Sequence, residues 1–107
     1  MKNHTGLTEA EIEQLITVLH RWPQIERGVL FGSRAKGIAR PNSDIDLALY
    51  GDVDELIAER VALEMDELPL PYLFDVKAVC QLNNPELIKH IQRVGVEIYR
   101  NVQNAVI

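Results

Sequence analysis

The chain has 107 residues, the length of one domain, and its 47% hydrophobic and 25% charged residues belong to an ordinary folded protein rather than a disordered one. A net charge of −5 argues against holding nucleic acid or a membrane surface through a positive field. The lone cysteine, Cys80, excludes an internal disulfide framework and a cysteine zinc cage. No apolar run approaches the ~18 residues of a membrane span. The first residues lack the hydrophobic stretch of a signal peptide, so the expectation is a cytoplasmic protein.

Thr8-Glu9-Ala10-Glu11 has the form of a capping box, and Ile12, Leu15, Ile16 and Leu19 follow at helical spacing. A helix is expected over 9–21, stopped by Pro23, which biases Trp22 away from helix. Residues 28–31 form a short apolar run suited to a buried strand. Gly32-Ser33-Arg34-Ala35-Lys36-Gly37 reads as a turn entering a short helix, and Arg40 to Ser43 as a loop. Residues 44–49 alternate with period two, the mark of a strand. Ile57, Val61, Met65 and Leu68 fall on one stripe of a helix over 54–67, whose many acids read as a solvated face. Residues 72–79 form another strand. Asn84 caps a helix that begins at Pro85 and ends near Val94, with Gly95 as its stop. A last short strand covers 96–99, and 101–107 reads as a tail.

The strands at 44–49 and 72–79 are joined by a helix, which implies a parallel, right-handed crossover. The fold class is mixed α/β: one domain over 1–107, with its core at about 7–100, in which helices pack on a small mixed sheet.

On the 44–49 strand, Ile45, Leu47 and Leu49 share one face and Asp44 and Asp46 the other. Two carboxylates ~6.6 Å apart along a strand repel each other unless a cation binds or solvent separates them. Asp75 interrupts the apolar strand Phe74-Asp75-Val76, where an unpaired acid is unfavourable. If the two strands are neighbours, Asp75 lies ~4.8 Å from the first pair and completes a carboxylate triangle. Such a triangle suits magnesium and two-metal phosphoryl transfer; the alternative is a surface pair of Asp75 with Lys77 or an arginine. Gly32-Ser33, at the end of a strand, offers backbone N–H groups and a hydroxyl to a phosphate, with Arg34, Lys36 and Arg40 close by in sequence.

Phe31-Gly32-Ser33-Arg34-Ala35-Lys36-Gly37, then Ser43-Asp44-Ile45-Asp46-Leu47, then Phe74-Asp75-Val76 resembles the signature of the DNA polymerase β-like nucleotidyltransferase superfamily. The small size and the Gly-Ser-Arg-x-x-Gly form are similar to its minimal nucleotidyltransferase (MNT) branch. The resemblance spans about Leu7 to Arg100 and implies a polymerase β-like palm fold and transfer of AMP from ATP to a hydroxyl. It implies Asp44, Asp46 and Asp75 as catalytic residues and ligands of two magnesium ions. It implies Gly32, Ser33, Arg34 and Ser43 as nucleotide-binding residues. For the MNT branch it further implies a partner, a HEPN-domain ribonuclease toxin that the protein adenylylates on a tyrosine as its antitoxin. Self-association and a hetero-oligomer with the toxin both stay open.

Two other functions compete with this reading. One is nucleotidyl transfer to a small hydroxylated molecule, for which the chain has no residues left to build an acceptor pocket. The other is an antitoxin that blocks its toxin sterically, which would need no carboxylate cluster. His4, His20 and His90 show no metal spacing and read as structural or solvent-facing. Cys80 reads as a small buried apolar residue. Trp22 and Tyr72 read as packing residues.

Overall fold

The computed structural model describes residues 5–102, so His4 and the tail from 103 onward lie outside the described residues. The elements follow the expected order: α1 (Glu9–His20), β1 (Ile25–Phe31), α2 (Gly32–Lys36), β2 (Ile45–Gly51), α3 (Glu55–Asp66), β3 (Phe74–Ala78), α4 (Pro85–Val94) and β4 (Val96–Arg100). A short 3-10 turn, Val79–Gln81, follows β3.

The capping box of α1 forms as the sequence requires. Glu11 N–H donates to the Thr8 hydroxyl and Thr8 N–H to the Glu11 carboxylate, both at 3.0 Å. Asp54 caps α3 by accepting from Ile57 N–H, and Asn84 caps α4 by accepting from Glu86 and Leu87 N–H. The strand at 28–31 is longer than expected because Ile25 pairs with Gly51 across a local register shift. Gly95 does end α4, but in extended geometry (φ −60°, ψ 142°) rather than the left-handed form common at helix ends. A Cβ there would collide with the Ile91 carbonyl and with Val29, so close packing of α4 on β1 is what demands glycine.

The four strands form one mixed sheet in the order β3-β2-β1-β4. β1 runs antiparallel to both neighbours, whereas β2 and β3 are parallel across the α3 crossover. Alternation along β2 divides the molecule. Ile45, Leu47 and Leu49 are fully buried in the main core beneath α1 and α3, with Leu15, Leu19, Leu30, Val61 and Met65. Each such leucine contributes roughly 1.5–3 kcal/mol by burial. Ala48 points to the other face and packs with Val29, Phe31 and Ile91 in a smaller core under α4. α4 therefore covers the β1 part of the second face.

Cys80 corrects an expectation. It is exposed at the 3-10 turn, and its thiol donates to the Val53 carbonyl at 3.0 Å. Trp22 and Tyr72 pack against the main core as expected. The Trp22 indole N–H donates to Glu64 and the Tyr72 hydroxyl to Glu11.

Candidate active site

The register of the sheet sets Phe31, Asp46 and Asp75 in one row across β1, β2 and β3. Residues in such a row share a face, and this face is the one α4 covers only in part. Asp46 is half-buried, and Asp75 and Asp44 are exposed, Asp44 lying one residue before β2. Burial pushes the Asp46 carboxyl above its ordinary pKa. The negative charges of Asp75 and Asp44 push it further up, and Lys77 opposes them. The Asp46 carboxyl thus feels the charge of both other acids.

The backbone register sets Asp46 beside Asp75, with Asp44 one residue before β2, but the side chains do not close into a carboxylate triangle. Asp75 is turned to Lys77, 3.5 Å away. Among the described residues, no three His, Cys, Asp or Glu side chains stand close enough as oriented to share one ion. The Asp75–Lys77 pair is largely solvated, with side chains 50% and 38% exposed, so it contributes little and yields readily to a stronger cation. The donors are all carboxylate oxygens, the set preferred by a hard divalent ion such as magnesium. Mutual repulsion at Asp46 is the kind of strain that such an ion relieves.

Gly32 follows Phe31 directly and takes φ +74°, a conformation open to glycine at little cost. A Cβ at this position would collide with Oδ2 of Asp46. The Gly-Ser turn and the Asp46 carboxylate are therefore in immediate contact, and Ser33 is half-buried beside them.

Two residues expected to bind nucleotide do other things. Arg34 is only 1% exposed. Its guanidinium donates to the carbonyls of Thr5 (2.9 Å), Pro41 (3.3 Å) and Ser43 (2.9 Å) and lies over the Tyr72 ring at 4.7 Å. It ties the 41–43 loop, which delivers Asp44 and Asp46, to the segment before α1. Ser43 belongs to the same tie: its carbonyl accepts from Arg34 and its hydroxyl accepts from Arg40 N–H at 2.8 Å. Of the basic residues that follow the turn in sequence, Lys36 and Arg40 are exposed.

His90 reaches the site, contrary to its expected bystander role. Gly32 N–H donates to its Nε2 at 3.2 Å, and its ring meets Phe31 edge-on with centroids 6.2 Å apart. Burial lowers its pKa, and the positive charges of Lys36 and Arg93 lower it further. One sequence signal could have found it. His90 stands three residues after Leu87 and beside Ile91, so it shares the helix face that packs on the sheet.

The family profile for polymerase beta nucleotidyltransferase domains matches residues 13–104. No curated protein sequence matches the chain. Among solved structures, the chain is similar to a toxin–antitoxin complex with AMP-PNP, at 23% identity and a TM-score of 0.69, over 92% of this chain and 77% of that one. A complex of tri-AMPylated Shewanella oneidensis HEPN toxin with MNT antitoxin matches over the same shares, at 18% identity and a TM-score of 0.69. A protein from Sulfolobus solfataricus assigned as a nucleotidyltransferase matches at 16% identity and a TM-score of 0.56, over 94% of this chain and 90% of that one. At these identities the likeness is one of fold.

Proposed function

The chain belongs to the polymerase beta nucleotidyltransferase family, and from that premise we propose that it transfers AMP from ATP to a hydroxyl of a HEPN-domain ribonuclease toxin, a tyrosine first among the candidates, and acts as that toxin's antitoxin. The observation that carries the reading is the direct pairing of Asp46 with Asp75 in the parallel ladder, one strand from the Gly32 turn. The fold shared with an antitoxin complex holding AMP-PNP and with one holding an AMPylated HEPN toxin supports both the nucleotide and the partner.

In this reading Asp44, Asp46 and Asp75 would hold magnesium, which when bound neutralises the triphosphate and the charge developing at the transferred phosphoryl group. The chain's own residues supply position. The Gly32–Ser33 turn receives the phosphates, with the Ser33 hydroxyl as a donor. Lys36 and Arg40 add positive potential at the rim. Asp75, half exposed on the edge strand, is open to an incoming hydroxyl and takes its proton at a carboxylate oxygen. The new bond joins that hydroxyl oxygen to the α-phosphorus, and pyrophosphate leaves with the electrons of the bond that breaks.

The acceptor comes from outside the chain, which we read as one domain. Among the described residues, two cavities are small, about 250 Å³ between α3 and β3 and about 220 Å³ beside Tyr72 and Arg40. An interface can hold the acceptor hydroxyl at near-attack distance, where much of the rate of in-line transfer originates. Among the described residues no helix is long and apolar enough to cross a membrane. Incubation with magnesium, ATP and the HEPN protein, followed by intact mass of both chains, tests the reading.

A further inference from the structure

The first N–H groups of a helix have no partner within it and need a cap. α2 is five residues long, and its N-cap residue, Phe31, offers no side-chain acceptor. The cap comes instead from α4, 58 positions along the chain, as the Nε2 lone pair of His90. We infer that His90 is a positioning residue for nucleotidyl transfer: by accepting the Gly32 N–H it sets the peptide plane between Phe31 and Gly32, and through it the place of the Asp46 carboxylate.

Three observations carry the inference, which rests on the function proposed above. First, Gly32 and Asp46 are in contact so close that a methyl group does not fit between them. A rotation of the 31–32 peptide is therefore passed directly to Asp46. Second, His90 is itself held. Its ring stands edge-on to Phe31, and its neighbour Ile91 is 2% exposed in the core that contains Phe31 and Ala48. Third, the bond requires an imidazole with a free lone pair at Nε2 and its proton on Nδ1. Burial and the cations Lys36 and Arg93 favour that neutral form. One consequence concerns the phosphates. With Gly32 N–H committed to His90, the donors that the turn presents to a phosphate begin at Ser33.

The test compares His90→Phe, which keeps a ring against Phe31 but has no acceptor, with His90→Gln, whose amide oxygen can accept. Both are made in the full chain. Thermal melting establishes that each variant folds, and His90→Leu, which likewise has no acceptor, replaces His90→Phe in every comparison if His90→Phe does not. The expected result has two parts. The Gly32 amide exchanges with solvent at least about tenfold faster in His90→Phe and keeps its protection in His90→Gln. Turnover in nucleotidyl transfer falls by up to about 100-fold in His90→Phe, the scale of a small misplacement, with KM for ATP little changed, and recovers in His90→Gln. Unchanged Gly32 exchange in His90→Phe would overturn the inference, as would faster exchange with full turnover. If the wild-type chain transfers nothing, the proposed function falls, and the Asp46 carboxyl carbon resonance decides this inference separately. It shifts in His90→Phe if the turn positions Asp46, and a resonance that stays in place contradicts the positioning role.

Discussion

Gly32 and Asp46 leave no space for a side chain between them: a Cβ at 32 would run into Oδ2 of Asp46. Two requirements meet at this glycine, the left-handed backbone (φ +74°) and the bare approach to a carboxylate. Gly32→Ala is expected to destabilise the chain by about 1–3 kcal/mol from backbone strain alone, and to abolish ATP binding by distorting the Gly32–Ser33 turn proposed to receive the phosphates. Thermal melting and calorimetric titration with ATP and magnesium measure the two effects.

Asp46 carries an electrostatic strain that removal of its charge should relieve. Its folded pKa is raised, by burial first and then by Asp75 and Asp44. The ionised carboxylate therefore opposes folding at neutral pH, and the penalty disappears as pH falls through the raised folded pKa toward the ordinary carboxyl range. In chelator, Asp46→Asn should be at least as stable as wild type at pH 7, with the difference closing on acidification. The same variant should show no transfer above background when magnesium is supplied. A clear loss of stability at pH 7 in chelator would contradict the coupling.

Arg34 should behave as a structural residue despite its place beside the Gly-Ser turn. Removing its guanidinium deletes the hydrogen bonds to the carbonyls of Thr5, Pro41 and Ser43. A hydrogen bond from a charged donor contributes on the order of 1.5–3 kcal/mol, so Arg34→Ala should lower stability by at least about 2 kcal/mol. Arg34→Lys should not restore it, because an ammonium lacks the planar fork that reaches several carbonyls at once. Urea unfolding of the two variants checks both statements.

Glu97 links β1 and β4 by accepting from Arg100 (2.8 and 3.0 Å) and from Arg27 (2.8 Å). The Arg100 hydrogen bond is the main reason its folded pKa is lowered; burial works the other way, and Arg27 adds to the lowering. A lowered carboxyl pKa contributes stability above the unfolded-state value and loses it as pH falls through the folded value. Glu97→Gln should therefore melt below wild type at pH 7, by no more than about 1 kcal/mol for so solvated a cluster. The deficit should close as pH falls below the ordinary carboxyl range and through the lowered folded value. Melting curves over that range decide it.

The two readable features were those governed by local periodicity. Alternation over Asp44 to Leu49 exposes both aspartates on the face opposite the core, and the helix between two strands implies their parallel pairing, which sets Asp46 against Asp75. Residues whose roles depend on distant packing were not readable in this way. Arg34 lies in a basic stretch that suggests an anion site, yet the 41–43 loop and Thr5 close over it. The spacing of His90 from Leu87 places it on the packed face of α4, but its bond to the Gly32 N–H arises only because α4 crosses the face of β1. Cys80 looks like a core residue by composition, but the chain leaves β3 at Ala78 and turns outward. Ile25 to Arg27 lack an apolar run, and their pairing with β2 and β4 extends the strand.

The proposed transfer of AMP to a partner protein is tested most directly by the intact mass of the HEPN toxin after incubation with this chain, ATP and magnesium, alongside the toxin's ribonuclease activity. Mass gains in AMP-sized steps are expected, with a parallel fall in ribonuclease activity, and neither change with the Asp46→Asn variant. An unmodified toxin that is neutralised equally well by wild type and Asp46→Asn would contradict it and leave steric blocking as the mode of action.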